Sequence, residues 1–155
     1  MKQQIIFIFL LVCTVASAQP IEELKYNMKY SFIKGGEVIL SVEDTTYQGK
    51  EALHLLLDGN TVGVTNLLYG VHDIYESIVD PKTYMPYKAI RNIKEGSYRW
   101  YNEAFFFNDR DSIYSQRSGP REVPSNTVDF VTAFFHMRNT NYLDQFDGGE
   151  EFSIP

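Results

Sequence analysis

Between Lys25 and Phe32 the chain alternates apolar and polar side chains one for one, with Tyr26, Met28, Tyr30 and Phe32 set against Lys25, Asn27, Lys29 and Ser31. A period of two sends the two sets to opposite faces of an extended backbone, which a helix cannot do. The same grammar returns downstream. Gly35-Gly36 offers a two-residue loop tolerant of positive φ, and Val38, Leu40 and Val42 resume the alternation, so residues 25 to 44 read as a hairpin. Gln48-Gly49 turns into 52 to 57, where Leu53, Leu55 and Leu57 share a face. Further strands are expected at 73 to 79, 87 to 93, 97 to 107 and 112 to 116, separated by Asp80-Pro81, Glu95-Gly96 and Asn108 to Asp111. Asn60 to Gly70 interrupts the pattern and reads as a short helix or an irregular crossing, while Gly119-Pro120 and Pro124 bracket a loop.

Connections this short cannot return the chain for parallel pairing, so successive strands run antiparallel. The expected fold is therefore mainly β, a curved antiparallel sheet in a half-barrel-like meander with one covering α-helix. That helix is expected at 126 to 138, capped by Asn126 with Asp129 at its third position and Val128, Val131, Phe134 and Phe135 on one stripe. Following the strands, it should lie across one sheet face. Asp129 and Arg138 are about two and a half turns apart, too far to pair with each other, and each suits the dipole at its own end.

The N-terminus carries a different message. Lys2, the apolar run Ile5 to Val15 and the small-residue triplet Ala16-Ser17-Ala18 form a secretory signal peptide at 1 to 18, leaving one β-rich domain at 19 to 155 for the periplasm or cell envelope. The apolar run falls short of the roughly 20 residues that a membrane-spanning helix needs, so no transmembrane helix is expected in the mature chain. A competing reading makes Leu10-Leu11-Val12-Cys13 a lipobox with Cys13 lipidated. Val12 argues against it, because lipoprotein signals place a small residue there. Cys13 is the only cysteine, so the mature domain forms no internal disulfide and relies on packing.

The formal charge of −6, with no cluster of Lys or Arg, argues against nucleic acid as a partner. Catalytic signatures are also missing. There is no nucleophile elbow, no phosphate-binding glycine loop and no thiol in the mature chain. His54, His72 and His136 lack metal-ligand spacing, Asp109 and Asp111 lack the rest of a calcium loop, and Glu43-Asp44 and Glu150-Glu151 read as solvated acids. No enzyme, metal or cofactor is expected on these grounds. What remains is the aromatic content, 11 Tyr, 11 Phe and one Trp, which either packs a core or lines an apolar surface. Tyr26, Met28, Tyr30 and Phe32 form the candidate ligand-binding row, with Trp100 on a neighbouring strand. The plainer reading has the helix cover that row as core.

Tyr30 to Glu37, Asp73-Ile74-Tyr75-Glu76-Ser77 with Met85-Pro86, the turn Lys94-Glu95-Gly96-Ser97-Tyr98-Arg99, and Val123-Pro124 leading into Asp129 and Phe135 to Arg138 occur in an order that resembles the bacterial family called domain of unknown function 3108. The resemblance implies an exported protein without an agreed activity, related to periplasmic lipoprotein carriers whose curved sheet wraps a helix and shelters acyl chains. It also implies further strands after Glu151 to Pro155, so the chain reads as lacking its C-terminal strands. The family brings no catalytic residues. The expected function is thus an exported cell-envelope protein binding a lipid or acylated ligand. The alternative is an envelope assembly or scaffold module that pairs through a sheet edge with a partner protein, and a hydrolase ranks third.

Overall fold

The computed structural model describes residues 20–139, which form one open, eight-stranded antiparallel sheet with its strands side by side in sequence order. The strands are β1 (Glu22–Tyr30), β2 (Ile33–Tyr47), β3 (Lys50–Thr61), β4 (His72–Val79), β5 (Pro86–Glu95), β6 (Tyr98–Phe107), β7 (Ser112–Ser115) and β8 (Gly119–Glu122). A short helix, α1 (Gly63–Leu68), joins β3 to β4, and α2 (Phe130–Asn139) follows β8. The mainly β meander agrees with the sequence reading, and the sheet is open rather than a closed barrel. Residues 1–18 and the Glu151–Pro155 segment lie outside the described residues.

Three local expectations are corrected. The first hairpin does not turn at Gly35-Gly36 but at Ser31-Phe32, where Ser31 takes a positive φ of 55°. Met28 pairs with Gly36 and Lys29 with Lys34, so Gly35 is the extra residue of a β-bulge. A Cβ at Gly36 would stand 2.5 Å from Met28 Cε and 3.1 Å from the Asn60 carbonyl oxygen. The glycine pair therefore admits a bulge and a crossing methionine, and Phe32 leaves the alternating row for the turn. Next, Gly119–Glu122 is a strand rather than loop, short and bearing Pro120 and charge, which blunts that sheet edge.

The third correction concerns α2. It starts at Phe130, and its cap is Asp129, whose Oδ1 accepts the Val131 and Thr132 N–H groups at 3.0 and 3.2 Å. Asn126 instead sits in the preceding turn with φ 61°. Tertiary bonds decide the matter. Asp129 Oδ2 also accepts the hydroxyls of Ser77 on β4 at 2.7 Å and of Thr132 at 2.5 Å, pinning the helix start to the sheet. At the other end Arg138 pairs with Glu22 at the start of β1.

One face of the sheet carries the core. Leu40 and Val42 stand opposite Leu57 and Leu55, Leu53 stands opposite Val79, and Val131 and Phe135 of α2 close over them. Burying the Val131 and Phe135 side chains contributes about 1.5–3 kcal/mol each. The helix lies over β3 and β4 and meets β1 at its start, through Arg138 and Glu22. Tyr26, Met28 and Tyr30 remain 50%, 51% and 87% exposed, so the helix does not cover that row as core.

Candidate functional site

The ladder registers arrange the α2 face of β4 to β7 in rows. Ser77, Ala89, Ala104 and Ser115 are successive partners across four strands, a row of small side chains. On one flank runs the row Tyr75, Arg91, Asn102, and on the other Phe106, Ile113, Arg121. Small residues between two rows of large ones leave a trough in the sheet face. The segment Thr127 to Phe130 roofs it at the helix start, and the resulting cleft has a volume of about 190 Å³. That is below the roughly 300–1,000 Å³ of sites for drug-sized ligands, so it suits one ring or a short acyl segment.

The lining is mostly apolar with a few polar groups. Phe130, 64% exposed, forms a lip with its ring tilted against Tyr75 at 5.3 Å between centroids. Arg91 holds its guanidinium over the rings of Tyr75 and Trp100, at 5.4 and 4.7 Å. Arg117 lies against Trp100 as well, at 5.2 Å, and its Nε donates to the Tyr101 carbonyl oxygen at 2.6 Å. Asp129 borders the cleft, but its two oxygens are occupied by four hydrogen bonds that hold α2 in place.

The opposite face holds most of the paired charges. His54 bonds Glu76 at 2.8 Å, which is the main reason the Glu76 carboxyl sits below its ordinary range. His72 bonds Asp58 at 3.0 Å, and Lys88 pairs with Glu103 at 3.0 Å. Glu103 also accepts the Tyr101 hydroxyl, which pushes that phenol up to about 12. Among the described residues no group of three or more His, Asp or Glu side chains could hold a metal ion. Nor, among them, is any helix long and apolar enough to cross a membrane.

A family model described as protein of unknown function (DUF3108) matches residues 25–155. The chain belongs to this family. No curated protein and no solved structure matches the chain. Within the DUF3108 chain the five residues expected to bind a ligand are dispersed. Tyr26, Met28 and Tyr30 share the α2 face at the β1 edge, Phe32 stands in the hairpin turn, and Trp100 is held between Arg91 and Arg117. None of the five lines the DUF3108 cleft. Tyr75, Arg91, Asn102, Phe106, Arg121 and Phe130 do. Sequence alone shows alternation within each strand but not the offset between strands, so the row of small residues becomes visible only once the registers are known.

Proposed function

We propose that this DUF3108 protein is an exported, non-enzymatic cell-envelope protein that shelters the apolar end of a lipid or of an acylated partner. The cleft beside α2 carries this reading, with its floor of Ala89 and Ala104 and its rings Tyr75, Phe106 and Phe130. Arg91 and Arg121 on its lining offer positive charge to a carboxylate or phosphate next to the apolar group. Export rests on the signal-like N-terminus.

Titration with a fluorescent fatty acid tests the binding reading. Saturable binding to the wild type, lost in Ala104→Leu with the melting temperature retained, is the expected result. Should Ala104→Leu fail to fold, organic extraction of the purified wild type decides, since a stoichiometric lipid is expected in the extract. An empty extract together with unsaturable probe uptake would exclude the proposal. A second reading draws on β1, whose outer side is paired with no strand among the described residues over its nine residues. Such an edge suits β-addition by an envelope partner, and an extended-strand partner cross-linking along β1 would support it.

A further inference from the structure

We propose that one end of the sheet is a membrane-docking tip that inserts apolar side chains into an anionic bilayer interface. The proposal stands apart from the cleft, which lies beside α2. Three separate segments meet at this end: the β1–β2 turn, α1 with its flanks, and the β5–β6 turn. Backbone bonds hold them side by side, with Val62 N–H donating to the Gly35 carbonyl at 3.0 Å and Gly96 N–H to the Gly70 carbonyl at 2.8 Å. Tyr69 packs so closely on the β5–β6 turn that a Cβ on Gly96 would meet its Cε2 at 2.8 Å.

The side chains at this end are turned outward. Phe32, Tyr30, Leu67, Leu68 and Val64, at 90%, 87%, 85%, 81% and 65%, are the five most exposed large apolar residues among those described. Ile33, Tyr69 and Tyr98 add to them at 49%, 54% and 53%. The helix α1 buries no residue, so its two leucines contribute nothing to the core. Exposed apolar residues scattered one by one need no explanation, but a cluster drawn from three segments does.

Chemistry selects a bilayer over a protein partner. The stretch from Asn60 to Val71 contains no charged residue that would resist entering the headgroup boundary. Part of its backbone is satisfied internally: Thr61 N–H donates to the Val71 carbonyl at 3.0 Å and Tyr69 N–H to the Thr65 carbonyl at 2.8 Å. A segment with paired backbone groups can leave water, whereas unpaired groups in a low-dielectric boundary are costly. Tyr30, Tyr69 and Tyr98 have the apolar body and polar tip that favour an interface. The flanking segments carry Lys29, Lys34, Lys94 and Arg99 against Glu37, Asp73 and Glu95, with Lys34 paired to Glu37, in a chain whose formal charge is −6. The surroundings of the apolar tip thus carry a small basic excess in an otherwise acidic protein, which favours an anionic surface over a neutral one.

Flotation with phosphatidylethanolamine vesicles containing about one quarter phosphatidylglycerol tests this directly. The full chain is compared with its F32S/L67S/L68S variant, so that the apolar run Ile5 to Val15, common to both, cancels. The variant should partition at least about tenfold more weakly. Equal partitioning would overturn the proposal, and equal wild-type binding to pure phosphatidylcholine would overturn its anionic preference. A self-association seen by sedimentation, abolished in the variant and accompanied by no vesicle uptake, would instead assign the tip to a second copy and overturn the membrane reading. Should the triple variant fail to fold, Leu67→Trp reports alone: brominated lipids should quench the tip indole well beyond the native Trp100, and unchanged quenching would refute insertion.

Discussion

Gly36 lies inside a strand rather than in a turn, and the reason is the methionine lying across it. Its place on β2 leaves no room for a methyl group between Met28 Cε and the Asn60 carbonyl. Gly36→Ala should therefore destabilise the protein by about 1–3 kcal/mol through overpacking, measured as a lower urea midpoint. Pairing Gly36→Ala with Met28→Ala should restore part of the loss, because the flexible methionine tip is the nearer of the two obstacles. Ser31 illustrates the complementary case: a residue without a glycine's freedom holds φ at 55° because the two-residue turn demands it there.

At the scale of elements, α2 is held by its ends as much as by its stripe. Asp129 satisfies two helix N–H groups and the Ser77 and Thr132 hydroxyls at once, with Ser77 and Thr132 only 1% and 0% exposed. Asp129→Ala removes the cap and the charged acceptor of two buried hydroxyls, leaving Thr132 the Ser77 oxygen at 2.9 Å and Ser77 the Lys88 carbonyl at 3.3 Å, so a loss of about 2–4 kcal/mol is expected in chemical denaturation. The strands from β1 to β7 were legible in the sequence because alternation, turn residues and aromatic content agreed along each of them. The helix start was not, since Asn126 and Asp129 are both good caps and only the bond to Ser77, distant in sequence, chooses between them. The glycine pair misled for a similar reason: Gly-Gly tolerates a turn and a bulge equally well, and the choice was made by Met28. The cleft was illegible for want of register, with Ala89 and Ala104 reading as unremarkable strand residues until they are set side by side.

Across the whole molecule, stability should fall in acid. Asp80 accepts the Thr83 N–H at 2.9 Å, the Tyr87 hydroxyl at 2.8 Å and the Lys82 N–H at 2.9 Å, which bring its carboxyl from 3.8 to about 2. Glu76 is likewise lowered from 4.5, chiefly by the hydrogen bond from His54. Because both folded values lie below the unfolded ones, this stabilisation is complete above about pH 5 and disappears as the pH falls through the folded values. Urea midpoints should drop between about pH 5 and pH 2.5, and Asp80→Asn should show a smaller drop over the lower part of that range. A midpoint independent of pH there would contradict this account.

The strictly sequential order β1 to β8 has a kinetic consequence. Each strand's partner is the one made just before it, so a chain emerging N-terminus first from a ribosome can zip hairpin by hairpin without waiting for distant segments. Among the described elements, α2 is the one that must reach far back, through Asp129 to Ser77 and Arg138 to Glu22, and its arrival is the step that closes the ribbon over Leu55 and Val79.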